Sequence, residues 1–184
     1  MKVLKFGGSS VANAENINRV VAIVQQALKR EQIILVVSAF SGITDTLIEC
    51  GRLASVGDEN YKQQLLSIEQ RHLEAVKALI PVAQQSSILS WVKKRCNELE
   101  DICNGVFLLA ELSPRTKDRI VSYGELISSY LISFRFKALG TDNTWKDAKE
   151  LIKTDSNFTY ATVDFTSTNK NIEQFLHPTA HPFL

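Results

Sequence analysis

The sequence predicts an α/β fold built on a parallel sheet and interrupted by a helical block, and three observations predict it. Two short apolar runs, 3–6 and Ile33–Val37, flank a segment with helical apolar spacing, so strand, helix and strand follow one another. The second run lacks polar alternation, the mark of a parallel strand covered on both faces. From 45 to about 112 the apolar positions recur at helical spacing with almost no strand signal. With 184 residues, 45% hydrophobic and 22% charged, the chain is long enough for one well-buried core and too mixed in composition to be disordered.

The opening strand runs into Gly7 and Gly8 and then two hydroxyls, Ser9 and Ser10. Glycines let main-chain N–H groups close on an anion, and Lys5, a cation in an apolar strand, needs a negative partner. A phosphoryl group satisfies both. An edge strand guarded by its lysine and followed by an ordinary Gly-Gly turn satisfies them as well. Asn13 caps the next helix, with Glu15 in its first turn, and Ile17, Val20, Val21, Val24 and Leu28 form its buried stripe up to Lys29 and Arg30. The strand Ile33–Val37 ends abruptly in 38–44, Ser-Ala-Phe-Ser-Gly-Ile-Thr. A right-handed crossover brings the carboxyl ends of both strands to one rim, so the Gly-Gly loop and the 38–44 loop face a common crevice.

Within the helical block, Leu47, Ile48 and Leu53 mark a helix closing near Gly57. Leu65, Ile68, His72, Val76 and Leu79 mark a second that Pro81 stops, and Ile88, Trp91, Val92, Cys96, Leu99 and Cys103 a long third. His72, alone on an apolar stripe, reads as a packed, hydrogen-bonded residue and not as a ligand or base. The block serves as an arm over the crevice or as a surface for another subunit. Ser113 and Pro114 open a further helix as N-cap and first position. Ser122-Tyr123-Gly124-Glu125 then precedes an apolar helix through Leu126, Ile127, Tyr130, Leu131 and Phe134 that ends at Gly140. A carboxylate at that position has an ordinary role as partner of the helix dipole. Residues 143–148 read as a short strand with Asp147 at its end, 149–159 as loop, and Thr168 as the cap of a last helix burying Ile172, Phe175 and Leu176. The final 177–184 segment resembles a strand cut at its beginning.

Composition excludes several classes. Lys plus Arg number 21 against 20 Asp plus Glu, so a formal charge of +1 gives no electrostatic case for nucleic acid or an anionic membrane. Met1 is followed at once by strand-like residues, without a leader pattern, and no apolar run reaches the ~20 residues that span a bilayer, which predicts a cytoplasmic protein. Cys50, Cys96 and Cys103 are odd in number and widely spaced, against a disulfide framework or zinc site. His177 and His181 stand four apart, but the prolines at 178 and 182 prevent a helix that would present them together, so no metal site is expected.

Lys5-Phe6-Gly7-Gly8-Ser9-Ser10-Val11, then 36–45 with its Ser-Ala-Phe-Ser-Gly-Ile-Thr loop, then Ser122-Tyr123-Gly124-Glu125, resemble in order and separation the amino-terminal half of an aspartate kinase. The first stretch is similar to that family's KFGG(T/S)S signature, the second to its SA-x-x-(G/K)-IT loop, the third to its short x-G-E motif. The opening twenty residues are most similar to the bifunctional aspartate kinase/homoserine dehydrogenases. Tyr123 stands where many members have His or Arg, and Ser9 replaces the commoner threonine. No GxxxxGK(S/T) or GxGxxG pattern occurs, so a P-loop ATPase and a Rossmann dehydrogenase do not compete.

The resemblance implies an amino acid kinase-like fold, an αβα sandwich on a mainly parallel sheet with a helical insertion. It also implies transfer of the γ-phosphoryl group of ATP, with Mg2+ held by the substrate phosphates, to the β-carboxylate of L-aspartate. That reaction opens threonine, lysine and methionine biosynthesis. Carried over by residue, Lys5 would reach the transferring group as the catalytic cation, and Gly7, Gly8 and Ser9 would line the phosphate path. Ser38, Ala39 and Thr44 would hold aspartate, and Glu125 its α-ammonium. The physics fits, since phosphoryl transfer needs mostly alignment and positive charge where negative charge spreads. A later glycine-rich segment that completes the family's site, the nucleotide-binding half, and the regulatory and dehydrogenase domains have no match here. Residues 1–184 are therefore expected to be the acceptor-side part of a homo-oligomeric parent, inactive by itself. The alternatives are another kinase of this fold, acting on glutamate, acetylglutamate, carbamate or a nucleoside monophosphate, and a non-catalytic binding or assembly module.

Overall fold

The computed structural model describes residues 1–176; the expectations for 177–184, including the cut strand, lie outside the described residues. Strand β1 (Lys2–Phe6) leads through a 3-10 turn, Gly8–Val11, into helix α1 (Ala14–Leu28), and strand β2 (Ile33–Val37) returns parallel to β1, with Phe6 paired to Val37. Asn13 caps α1 as expected, its side chain accepting the Asn16 N–H at 2.9 Å.

The helical block is α2 (Ile43–Ser55), α3 (Tyr61–Leu79) and α4 (Gln85–Leu109), which pack on one another. Their stripes bury Leu47, Cys50, Ile68, His72, Val76, Ile88, Val92, Leu99 and Cys103 in the same core as α1 and β2. Ser113 caps α5 (Pro114–Val121) by accepting the Thr116 N–H. Helix α6 (Tyr123–Ala138) follows, carrying Glu125 in its first turn and packing against α4 and β2. The last described elements are α7 (Ala148–Leu151) and α8 (Phe165–Leu176). Among the described residues no helix is long and apolar enough to cross a membrane.

Three expectations are corrected. Residues 143–148 form no strand: Thr144 alone makes a bridge, Trp145 donates to Ser129 Oγ at 3.0 Å, and Asp147 caps α7. Thr168 lies inside α8, where its hydroxyl accepts the Lys153 N–H at 2.9 Å, while Asp164 takes the capping role through the Ser167 N–H at 3.1 Å. Among the described residues the sheet is covered on one face only. Leu4, Phe6, Ile33 and Leu35 join the core, whereas Val3 is 61% and Val36 44% exposed. That second face opens on an apolar groove of about 640 Å³, lined also by Leu126, Trp145 and Phe175.

Candidate active site

Parallel pairing places the ends of β1 and β2 side by side, and the Ser38 N–H donates to the Phe6 carbonyl at 3.1 Å. The glycine turn and the 38–44 loop therefore leave the sheet from one rim. Gly8 faces that loop so closely that a Cβ on it would lie 3.2 Å from the Ala39 carbonyl oxygen and 3.6 Å from Ser41 Cα. From the other side, a Cβ on Gly124 would lie 2.8 Å from Ala39 Cβ. At 124 only glycine lets α6 close on Ala39, which is itself 2% exposed, and a side chain at 8 would need the Ala39 carbonyl to give by a few tenths of an ångström.

Polar contacts hold the same junction. The Ala39 N–H donates to Glu125 Oε1 at 3.3 Å, and Ser128 Oγ donates to the Ser38 carbonyl at 2.8 Å. Gly8, Ala39 and Glu125, from three separate stretches of sequence, thus meet at one residue. Thr44 lies half-buried in the first turn of α2, behind Gly42, whose φ of +81° is the left-handed conformation that glycine tolerates.

Lys5 is exposed on β1 and, among the described residues, makes no ion pair or hydrogen bond. By strand alternation it shares the face of Val3 and Val36, which opens toward the groove that Glu125 also lines. The two charges are not within ion-pair distance of each other. Ser9 is exposed, with its carbonyl accepting from Asn16 Nδ2 at 2.8 Å. A Cβ on Gly7 would meet nothing within 4 Å, so space is open above the turn. The Gly8 and Ser9 N–H groups find no acceptor among the described residues. A free cation, two unpaired N–H groups and open space can receive an anion; a carboxylate held by a main-chain N–H can receive an ammonium group. Among the described residues no three His, Cys, Asp or Glu side chains gather as a metal site.

Two neighbouring residues of α3 also grip this region. His72 stacks on Phe40 with ring centroids 4.8 Å apart and planes 18° apart, and its Nδ1–H donates to the Ile68 carbonyl at 2.7 Å. Burial pushes its pKa down from 6.5 to about 4, so the ring is neutral, as a packed residue should be. Arg71 Nη1 donates to the Ser41 carbonyl at 2.6 Å and Nη2 to the Ala12 carbonyl at 3.0 Å. Sequence reasoning missed Arg71, because both its acceptors are backbone groups that leave no mark in residue types.

Residues 1–184 match the model of the amino acid kinase family over their whole length. The chain belongs to that family. Among curated relatives, the chloroplastic bifunctional aspartokinase/homoserine dehydrogenase 1 of Arabidopsis thaliana is 29% identical over 176 residues, 94% of this chain and 19% of that protein. The chloroplastic aspartokinase 1 of the same plant is 32% identical over 152 residues, 81% of this chain and 26% of that protein. Among solved structures, E. coli aspartokinase III in complex with aspartate and ADP superposes with a TM-score of 0.83 at 25% identity, covering 96% of this chain and 37% of that one. The amino acid kinase fold is thus present, and the chain spans about a fifth to a quarter of the length of these relatives.

Proposed function

We propose that residues 1–184 form the acceptor-binding part of an aspartate kinase catalytic domain, with the nucleotide-binding half and any regulatory or dehydrogenase domains supplied by further chain. An oxygen of the aspartate β-carboxylate attacks the γ-phosphorus of ATP. The bond from that phosphorus to the β,γ-bridging oxygen breaks, and ADP and aspartyl phosphate leave. Lys5 and the Gly8 and Ser9 N–H groups balance the charge that spreads over the transferring group. Glu125, oriented by the Ala39 N–H, binds the substrate ammonium, and the Ser38 and Thr44 hydroxyls donate to its carboxylates. Mg2+ bound with ATP would supply charge neutralisation at the phosphates.

The observation that carries this reading is the junction at Ala39, where the glycine turn, the 38–44 loop and Glu125 touch. Similarity to aspartokinases, including one solved with aspartate and ADP, supports aspartate as the acceptor. The test is acceptor-dependent ADP release, with hydroxylamine trapping of any acyl phosphate formed, by the full-length polypeptide carrying residues 1–184, with MgATP and each candidate acceptor in turn. Hydroxamate formed from L-aspartate is expected. Product from glutamate, acetylglutamate, carbamate or a nucleoside monophosphate but not from aspartate would overturn the substrate, and no product from any of them would leave a binding or assembly module. Residues 1–184 alone are expected not to turn over.

A further inference from the structure

The helical block carries none of the residues assigned above to the reaction except the first turn of α2, yet α3 touches both loops of the site. The Arg71 guanidinium spans from the Ser41 carbonyl, in the 38–44 loop, to the Ala12 carbonyl, at the exit of the glycine turn. Its Nη1 also lies 3.9 Å from the position of a Cβ on Gly42, so the planar group rests against the bend that starts α2. Among the described residues no carboxylate pairs with it, so its two carbonyl contacts are what fix it in place. One helical position on, His72 stacks on Phe40 in the same loop.

The geometry points to Arg71 as a positioning residue. It holds the glycine turn and the 38–44 loop at a fixed separation, so that the helical block sets the distance between the phosphate side and the acceptor side. A guanidinium suits this because its rigid fork offers donors in two directions at once, whereas a lysine ammonium on a flexible stem holds one carbonyl reliably and the second poorly. Arg71 touches no reacting atom in this scheme. Its effect reaches the chemistry through Ser41 and Ala12, which belong to the loops proposed to hold the acceptor and the phosphate.

This inference deepens the aspartate kinase reading and rests on it for the kinetic part of its test. In the full-length polypeptide, Arg71→Ala and Arg71→Lys are compared by amide hydrogen exchange without substrate and by steady-state kinetics. The Ala variant is expected to exchange at least tenfold faster over 8–12 and 39–46, with α4 unchanged, and to raise the aspartate KM and lower kcat. The Lys variant should fall between it and the native protein. Unchanged exchange at both loops overturns the proposal, and so does faster exchange that extends equally through α4, which marks general destabilisation. Faster loop exchange with unaltered KM and kcat overturns the positioning role. Should Arg71→Ala not fold, the Lys variant and Arg71→Gln, which keeps one donor group, carry the same comparison. Exchange needs no substrate, so a protein that fails to phosphorylate aspartate refutes the function while the bridge between the loops is still tested.

Discussion

Gly124→Ala tests the junction at Ala39 directly, because helix propensity and packing predict opposite signs. Gly124 lies in the first turn of α6, and replacing a helical glycine by alanine gains about 1 kcal/mol where nothing obstructs the methyl group. Here the new Cβ would stand 2.8 Å from Ala39 Cβ, 3.3 Å from Leu47 Cδ1 and 3.5 Å from Ile43 Cγ2. Carbon atoms prefer about 3.5–4.0 Å, so the Ala39 contact has to open by about 0.7 Å or more. Both atoms are fixed to backbone, so the helix or the loop has to move. Overpacking of this kind costs about 1–3 kcal/mol, and the upper part of that range leaves a net loss of about 1–2 kcal/mol. Gly105→Ala in α4 is the control, since a Cβ there meets nothing within 4 Å and the propensity gain should survive. The two variants are expected to differ by about 5–10 °C in Tm, with Gly124→Ala the lower. Displacing Ala39 also lengthens its hydrogen bond to Glu125, so the aspartate KM should rise in the same variant. Gly124→Ala melting at or above Gly105→Ala would show that Ala39 and α6 are not packed as described.

Three further outcomes follow from the site. Lys5 is exposed and unpartnered, so Lys5→Ala should leave the Tm within about 1 °C while lowering turnover by about 100-fold or more; near-native turnover would remove Lys5 from the chemistry. Glu125→Gln keeps an oxygen for the Ala39 N–H but loses its charge, so the aspartate KM should rise about tenfold or more with the fold intact, and an unchanged KM would refute the ammonium site. His72, held neutral by burial, takes up a proton near pH 6.5 when unfolded but only near about 4 when folded. Its contribution is present above 6.5 and lost as pH falls toward 4, a loss of about 3 kcal/mol. Denaturant midpoints at pH 7 and pH 4.5 should converge in His72→Phe relative to the native protein; equal pH slopes in the two would assign the acid sensitivity elsewhere.

The parts of this structure that the sequence disclosed are those where chemistry restricts residue type. A glycine pair after an apolar strand, hydroxyls after a second strand and a carboxylate at a helix start are unusual enough to mark a rim, and strand, helix and strand bring the first two together. The open sheet face shows the limit of that approach. Ile33–Val37 is apolar throughout, but which side is covered depends on elements elsewhere, and within 1–176 no element covers Val36. Residues 143–148 misled for a related reason. Thr144 and Trp145 have strand character, yet Trp145 spends its indole against Tyr130, edge-on with centroids 5.2 Å apart, and its N–H on Ser129. At Thr168 the apolar stripe beginning at Ile172 hid the true first turn, which starts at Phe165 and is capped by Asp164.

Support residues are harder to find than reacting ones, and Arg71 and Gly124 show why. The partners of Arg71 are carbonyls, which every residue possesses, so its importance depends wholly on where α3 crosses the two loops. Gly124 sits beside the motif glutamate, and its function is to be small opposite Ala39, a demand visible only when the helix and the loop are already docked. Reacting groups are selected by what they are, and supporting groups by where the fold puts them. The residues proposed for the site, Lys5, Gly8 and Glu125, can therefore be read along the chain, while the packing around them depends on side chains whose neighbours become known only in three dimensions.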